Sequence, residues 1–260
     1  MSLPPVALVT AGSAGLGAAT AKAFAIAGYK VVINYSNNPS RASALLSELE
    51  TLSPLPKPSL TATVSSSPNF LTIQADLSRQ SEISRLVSLA VTEMGRLDVV
   101  FSNGGWTSIT DFHDLDDNVD EEMWDRCWNM NVKSHLWIMR AARKYLEESE
   151  GCFVTTASLA GVRPSGSSVA YAVTKAAQIH LVKSLAMIVG PKIRVNSVSP
   201  GILLTDWGLK FPQEKLDAAL AQTKLKRFAT VEDVAEQVLC FAKSKSVTGA
   251  NAIIDAGWSL

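Results

Sequence analysis

Short runs of consecutive apolar residues alternate along the chain with longer stretches whose apolar residues recur every three or four positions. The short runs read as continuous apolar stretches more than as alternating ones, which is typical of strands buried on both faces of a parallel sheet. Seven strands are predicted, at Val6–Thr10, Val31–Tyr35, Phe70–Ala75, Leu97–Ser102, Cys152–Ser158, Ile193–Ser199 and Ala252–Asp255. Helices are predicted between them, at Leu16–Ala27, Arg41–Leu52, Ile83–Val91, Met123–Ser149, Tyr171–Val189 and Val231–Lys243.

Strands that alternate with helices predict an α/β fold, a doubly wound three-layer sandwich with a seven-stranded parallel sheet in the middle. A chain of 260 residues can fill this architecture as one domain, residues 1–260. Residues 53–69 are rich in Pro, Ser and Thr and lack periodicity, so we expect a flexible loop there. We expect residues 203–225, after the sixth strand, to form a lid over a substrate site.

Composition and charge argue against several classes of protein. The chain has 24 basic and 24 acidic residues, a balance that offers no basic surface to nucleic acid or to an anionic membrane. Its three cysteines and three histidines are scattered, so no metal site is predicted. We expect Cys152 and Cys240, which lie in apolar runs, to be buried. The N-terminus, MSLPPVALVT, has no basic region and no long apolar stretch, which favours a cytoplasmic protein.

A glycine-rich turn, TAGSAGLG, spans Thr10–Gly17 between the first strand and the first helix. Glycines at such a turn let backbone N–H groups approach a pyrophosphate, and the helix N-terminus adds partial positive charge. A plain tight turn could carry the same residues. The position after the first strand of an alternating chain favours dinucleotide binding. The residues predicted to bind are Thr10, Gly12, Ser13, Gly15, Leu16 and Gly17.

A tyrosine and a lysine stand four residues apart in YAVTK, from Tyr171 to Lys175, and therefore share one face of a predicted helix. A phenol with a pKa of about 10 is a weak acid–base at neutral pH. A neighbouring ammonium favours the phenolate, so we expect the pKa of Tyr171 to be lowered. The pair suits proton exchange with a carbonyl or alcohol oxygen, and a merely solvated helix face is the alternative.

Further stretches extend these two motifs: SNGG at Ser102–Gly105, Asn131 in NMNV, Ser158 thirteen residues before Tyr171, SPG at Ser199–Gly201 followed by Thr205, and DAG at Asp255–Gly257. With them the chain resembles, nearly from end to end, the single-domain branch of the short-chain dehydrogenase/reductase family. The family's glycine turn reads TGxxxGxG, and Ala11 here replaces its first glycine. SNGG stands where the family carries NNAG. The resemblance implies a Rossmann-like fold.

The resemblance also implies a catalytic tetrad of Asn131, Ser158, Tyr171 and Lys175. Tyr171 would exchange a proton with the substrate oxygen, and Ser158 would hydrogen-bond that oxygen where negative charge develops. Lys175 would hold the ribose hydroxyls of the cofactor, and Asn131 would hold a water that links Lys175 to solvent. From the residues alone, Ser158 could instead cap a loop, and Asn131 could satisfy a buried backbone group.

The end of the second strand bears on the choice of cofactor. It reads NYSNNPSR, Asn34–Arg41, and lacks the carboxylate with which NAD-preferring enzymes bind the adenosine ribose. Its absence favours NADP(H), with NAD(H) as the alternative. Ser36 and Asn37 could donate to a 2′-phosphate and Arg41 could pair with it, unless Arg41 is only a solvated helix start. The resemblance adds cofactor contacts at Tyr35, Asp76, Leu77, Asn103, Gly104, Gly105, Tyr171, Lys175, Pro200, Gly201, Ile202 and Thr205.

Together these features predict an NADPH-dependent carbonyl reductase in which a tyrosine donates the proton. Aromatic residues near the mouth favour a small or medium, apolar or aromatic carbonyl substrate, bound at Trp106, Leu159, Arg163 and Trp207. Secondary-alcohol oxidation by the same residues, non-redox biosynthetic chemistry and redox sensing are the alternatives. By resemblance, the chain would form a homodimer or homotetramer.

Overall fold

The computed structural model describes residues 3–57 and 67–260. Within these residues, every strand belongs to one parallel sheet whose order is β3-β2-β1-β4-β5-β6-β7. The strands are β1 Val6–Val9, β2 Lys30–Tyr35, β3 Phe70–Gln74, β4 Val99–Ser102, β5 Cys152–Thr156, β6 Arg194–Pro200 and β7 Asn251–Ile254. The order reverses direction between β1 and β4, so a crevice opens where these two strands end. The predicted α/β fold is confirmed.

Helices cover both faces of the sheet. They are α1 Gly15–Ile26, α2 Pro39–Leu52, α3 Gln80–Met94, α4 Glu121–Trp128, α5 Ser134–Ser149, α6 Val169–Val189, α7 Gln213–Gln222 and α8 Val231–Lys243. One core cluster joins the sheet to α3, α5 and α6, through residues such as Ile83, Ile138 and Val182. A second cluster on the opposite face joins it to α1, α2 and α8, through residues such as Phe24 and Val234. These two clusters make the predicted three layers.

The helix predicted over Met123–Ser149 is divided in the structure. A five-residue π-turn, Asn129–Lys133, separates α4 from α5. A π-turn adds one residue to a helical turn, which leaves the apolar periodicity on either side nearly unchanged. The pattern of the sequence therefore could not reveal it. A further helix, α7, lies inside the segment 203–225, for which a lid is expected.

Two smaller expectations concern the loop at 53–69 and the burial of two cysteines. The loop predicted at 53–69 falls largely on residues 58–66, which lie outside the described residues. Its two described ends are tied together, since Asn69 Nδ2 donates to the Pro56 carbonyl oxygen at 2.9 Å. Cys152 is buried as expected, but Cys240 is exposed, because it lies on the outer side of the amphipathic helix α8.

By length and hydropathy alone, the helix α6 could cross a membrane. In this fold it packs against β6 and the core of one sheet face through Val182, Leu185 and Val189. Its apolar character is thus that of a core helix, and its first turns carry Tyr171 and Lys175 to the carboxyl edge of the sheet.

Candidate active site

A cleft of about 450 Å³ opens at the carboxyl ends of β1, β4, β5 and β6. Its walls come from the glycine turn, the β4 end, the β5–α6 connection and the segment 203–225, which we call the post-β6 segment. The predicted site residues that line it are Gly15, Leu16, Arg41, Asn103, Gly105, Ser158, Leu159, Tyr171, Lys175, Pro200, Gly201, Ile202, Thr205 and Trp207. The cleft thus brings together predicted residues from five separate parts of the chain.

The glycine turn presents the start of α1 to this cleft. The helix begins at Gly15, and its N-cap residue, Ala14, provides no side-chain hydrogen bond, so the first backbone N–H groups have no partner within the helix. At Gly17 a Cβ atom would collide with the Ala11 carbonyl oxygen, so only glycine fits. An open helix N-terminus with partial positive charge suits a pyrophosphate, and the residues therefore fit a dinucleotide.

Buried polar side chains hold the turn in place. The Asn34 side chain accepts a hydrogen bond from the Ala11 N–H at 3.1 Å and donates to the carbonyl oxygen of Ala75 at 3.1 Å. Thr10 Oγ1 accepts from the N–H of Asn103 at 2.9 Å. Thr10, predicted to bind the cofactor, is therefore a bridge between β1 and the β4 end. Asn34 was missed, although an asparagine inside the apolar strand VVINY is a signal that could have found it.

Tyr171 and Lys175 share one face of α6, as their spacing predicts, and the Lys175 ammonium nitrogen lies 5.6 Å from the centre of the Tyr171 ring. Lys175 is only 3% exposed. Its Nζ donates to the Thr156 carbonyl oxygen at 2.7 Å and to Gln178 Oε1 at 2.9 Å. Burial lowers the pKa of Lys175 to about 7. Gln178, a polar residue three positions after the lysine on an apolar helix, was a signal that the sequence reading overlooked.

The expected lowering of the Tyr171 pKa does not occur in this chain by itself. Burial raises the pKa of the Tyr171 phenol to about 12, a hydrogen bond with the Ser158 side chain acts in the opposite direction, and the Cys127 thiol raises it further. Removal of water from the phenolate outweighs the hydrogen bond from Ser158, and burial also disfavours the charge of the neighbouring Lys175. At neutral pH Tyr171 is therefore a proton donor.

Ser158 and Asn131 both make the structural contacts that were the alternative for them. Ser158 Oγ accepts from the N–H of Ala160 at 3.2 Å, and its hydroxyl proton is the donor in the bond to Tyr171. Asn131, fully buried in the π-turn, accepts from the Trp106 N–H at 2.8 Å and donates to the Trp106 carbonyl oxygen at 2.9 Å. Its second amide proton goes to Thr174 Oγ1 at 3.0 Å. The Asn131 amide thus has no donor left for a water.

At the mouth of the cleft, Arg41 of α2 meets a carboxylate that the sequence did not place there. Arg41 Nη1 lies 3.0 Å from Asp206 Oδ2, and both residues line the cleft. Ser36 and Asp76 line a separate hollow of about 710 Å³ along the edge strand β3. Asp206 was missed because it is 165 residues from Arg41 in the chain.

Several predicted residues do not line the cleft. They are Thr10, Gly12, Ser13, Gly17, Tyr35, Ser36, Asn37, Asp76, Leu77, Gly104, Trp106, Asn131 and Arg163. Trp106 is held by Asn131, and its ring lies 4.4 Å beneath the Arg126 guanidinium. Arg163 donates from Nη1 to the Trp258 carbonyl oxygen at 3.1 Å and so holds the C-terminal turn. Among the described residues, no three His, Cys, Asp or Glu side chains converge as metal ligands would.

The post-β6 segment covers the cleft and contacts both of its ends. A Cβ atom on Gly15 would lie 3.1 Å from the Thr205 methyl group, so the segment rests on the glycine turn. The Trp207 ring meets the Tyr171 ring edge-on, with centroids 6.2 Å apart. Lys215 of α7, another residue missed from the sequence, donates to the Gly166 carbonyl oxygen at 2.8 Å. The segment is thereby tied to the loop that precedes α6.

A doubly wound parallel sheet with a glycine turn and a tyrosine–lysine pair in one cleft defines a class, that of nicotinamide-dependent oxidoreductases. The family model described as enoyl-(acyl carrier protein) reductase matches residues 10–259. The chain therefore belongs to the short-chain dehydrogenase/reductase family and is an NAD(P)-dependent oxidoreductase.

Three relatives illustrate the similarity. A Streptomyces violaceoruber protein assigned as ketoacyl reductase 2 of the granaticin polyketide synthase is 34% identical over 256 residues, which cover 97% of this chain and 95% of that protein. The 3-ketoacyl-(acyl-carrier-protein) reductase of Brucella melitensis, complexed with NADH, is 25% identical, with a TM-score of 0.84 over 100% of both chains. A 7α-hydroxysteroid dehydrogenase, complexed with NADH and 7-oxo glycochenodeoxycholic acid, is also 25% identical, with a TM-score of 0.85 over 97% of this chain and 93% of the other.

Proposed function

We propose that the protein is an NADPH-dependent carbonyl reductase that acts on a small or medium, apolar or aromatic ketone. The observation that carries the proposal is the convergence of Tyr171, Lys175 and Ser158 with the glycine turn in one cleft. NADPH, when bound along the turn, supplies the hydride. The name of the related ketoacyl reductase supports a carbonyl substrate.

Each polar group then has a defined task. The phenol of Tyr171 donates its proton to the carbonyl oxygen, and its raised pKa keeps it protonated at neutral pH. Ser158 donates its hydroxyl proton to the same oxygen once substrate is bound and stabilises the charge that develops there. Lys175, with a pKa of about 7, is able to return a proton to the phenolate and to hold ribose hydroxyls. Asn131 acts as a positioning residue, because its amide holds the backbone of Trp106.

The test of this proposal is a substitution that removes the phenol oxygen of Tyr171. Tyr171→Phe should lower kcat with NADPH and a panel of ketones by about 10²- to 10⁴-fold, the usual contribution of general acid catalysis. The Kd for NADPH should change little, since the ring is kept. Tyr145→Phe, on α5 against the core, is the matched control and should keep full activity. Equal turnover in Tyr171→Phe and the wild type would refute the role of this phenol.

The cofactor preference rests on Arg41, which lines the cleft, and on the absence of a carboxylate between Asn34 and Arg41. Two related structures hold NADH, which keeps NAD(H) as the alternative. We expect the Kd for NADPH to lie below that for NADH, and Arg41→Ala to narrow the difference, because a guanidinium pairs with the 2′-phosphate. Arg143→Ala, on the outer face of α5, is the control. A tighter NADH complex in the wild type would contradict the preference.

The cleft also bears on substrate and direction. Leu159, Trp207, Phe211 and Trp258 give it an apolar and aromatic wall, and residues 203–225 act as the lid that closes over the substrate.

Secondary-alcohol oxidation is the second candidate function, favoured by the related 7α-hydroxysteroid dehydrogenase. Initial rates with ketone and NADPH, compared with those for alcohol and NADP⁺ at one pH, decide between the two directions.

The assembly belongs to the same proposal. The protein is a cytoplasmic homodimer or homotetramer, supported by the apolar side chains that the end of α6 leaves exposed, where Met187 is 86% and Ile188 is 64% accessible. Light scattering coupled to size-exclusion chromatography should give the mass of two or four chains. The mass of a single chain at micromolar concentration would contradict it.

A further inference from the structure

An ion pair joins α2 to the post-β6 segment at the mouth of the cleft. Arg41, in the first turn of α2, reaches across the mouth to Asp206 of the post-β6 segment, with Nη1 and Oδ2 3.0 Å apart. The backbone N–H of Arg41 is bonded to the N-cap residue Asn38 at 2.9 Å, so the base of the arginine is anchored in the helix. The pair is thus a bridge between the fixed sheet layers and the covering segment.

The Asp206 carboxylate can be replaced at Arg41 by another anion. Both partners are exposed, Asp206 at 78% of its side chain, and an exposed ion pair contributes little to stability. Within residues 3–57 and 67–260, the Arg41 guanidinium has no other ionic partner. A ligand with a stronger negative charge, such as a phosphate monoester with a charge between about −1.5 and −2, can therefore displace the carboxylate.

The charge of Asp206 also sets what the arginine can offer. Paired, Arg41 and Asp206 are neutral together and attract a phosphate weakly. Unpaired, the guanidinium faces the ligand with its full charge and its several N–H donors. The carboxylate therefore weakens the binding of any 2′-phosphorylated adenosine and has no comparable effect on an adenosine nucleotide without the 2′-phosphate.

The neighbours of Asp206 connect this exchange to the catalytic end. Thr205, the residue before Asp206, rests on Gly15. Trp207, the residue after it, packs edge-on against the ring of Tyr171. A tight turn follows, in which the N–H of Lys210 donates to the Trp207 carbonyl oxygen at 3.1 Å. A displacement of Asp206 is therefore transmitted to the residue that shields the phenol.

We propose that Asp206 is a specificity-determining residue, which competes with the 2′-phosphate of the cofactor for Arg41 and couples that phosphate to release of the post-β6 segment. This inference rests on the cofactor site of the proposed function. The chain then distinguishes NADP(H) from NAD(H) in two ways. One is direct pairing at Arg41, and the other is the position of Trp207 over Tyr171.

The test uses 2′,5′-ADP and 5′-AMP, which carry the adenosine end of each cofactor and need no catalysis. Asp206→Asn keeps the side-chain shape and removes the charge. It should tighten 2′,5′-ADP about fivefold by calorimetry, the factor expected for one exposed charge pair, and leave 5′-AMP unchanged. Glu214→Gln, which removes an exposed charge from α7 of the same segment, is the control and should leave both constants unchanged.

A second readout follows the segment itself. Trypsin cleavage after the exposed Lys210, followed by mass spectrometry, should accelerate in the wild type with 2′,5′-ADP but not with 5′-AMP. Asp206→Asn should be cleaved at the faster rate without ligand and should respond to neither. Unchanged binding in Asp206→Asn, or equal tightening in Glu214→Gln, would overturn this inference alone. If neither nucleotide binds the wild type, the proposed cofactor site falls together with it.

Discussion

Ala11, which follows β1 in the chain, has a left-handed backbone conformation with a φ of 46°. A residue with a Cβ atom pays roughly 1–2 kcal/mol for that conformation, because the Cβ approaches a carbonyl oxygen, whereas glycine adopts it freely. The bond from the Ala11 N–H to Asn34 Oδ1 shows what maintains it. The chain thus keeps a strained residue at the position where the family's motif has glycine.

Ala11→Gly should therefore stabilise the protein by about 1 kcal/mol, since the relief of strain exceeds the added entropy of the unfolded chain. Urea unfolding measures it. The opposite sign is expected for Ala23→Gly, in the interior of α1, where glycine costs about 1 kcal/mol. If both variants lost stability equally, the left-handed conformation of Ala11 would not be a source of strain.

The junction of α4 and α5 shows how a local distortion of a helix positions a site. The π-turn at Asn129–Lys133 widens the helix at the residue whose side chain must reach the segment after β4. There Asn131 satisfies both backbone groups of Trp106 and the hydroxyl of Thr174 on α6. One side chain thereby ties together the β4 end, α5 and the helix that carries Tyr171.

Asn131→Ala should lower the free energy of unfolding by about 2–3 kcal/mol, because it removes three hydrogen bonds of a buried side chain and leaves the Trp106 N–H without its partner. The measurement is again urea unfolding. Asn129→Ala, two residues earlier in the same π-turn, removes a single bond to the Ser78 carbonyl oxygen and should cost about 1 kcal/mol. Equal losses would mean that the Asn131 contacts are not the connection described.

Stability of the entire fold is linked to pH through Lys175, the buried lysine of the cleft. Lys175 has a pKa of about 7 in the folded chain and an ordinary value of 10.5. Between these values the unfolded chain holds a proton that the folded chain lacks, so stability rises as pH rises through this window. Burial raises the pKa of Cys127 and Cys152 to about 11, which opposes the rise only where unfolded thiols ionise, near pH 9.

We therefore expect the ligand-free protein to gain about 2 kcal/mol of unfolding free energy between pH 6.5 and pH 8.5. Lys175→Met removes the titrating group and should flatten this dependence. Burial holds the pKa of His135 well below 6.5, so the unfolded imidazole adds only a small rise near pH 6.5, in both proteins. Parallel pH profiles in the two proteins would show that Lys175 is not the group responsible.

Much of the architecture could be read from the chain because it depends on local patterns. Apolar runs mark strands such as Val6–Val9 and Val99–Ser102, and the spacing of Tyr171 and Lys175 decides that they share a helix face. These patterns need no knowledge of what packs against what. The same local character explains the errors, since one extra residue at Asn129–Lys133 and the outer position of Cys240 on α8 leave almost no trace in a hydrophobic pattern.

The primary structure alone dictated the order of the elements, the α/β class and the motifs that meet at one edge of the sheet, because backbone geometry and burial act through neighbouring residues. Folding in three dimensions settled the contacts between residues that are far apart in the chain. Asp206 forms an ion pair with Arg41. The ammonium of Lys175 donates to Thr156 and Gln178, and burial raises the pKa of Tyr171 instead of lowering it. Such distances and the loss of water around a charge arise only when separate elements pack together.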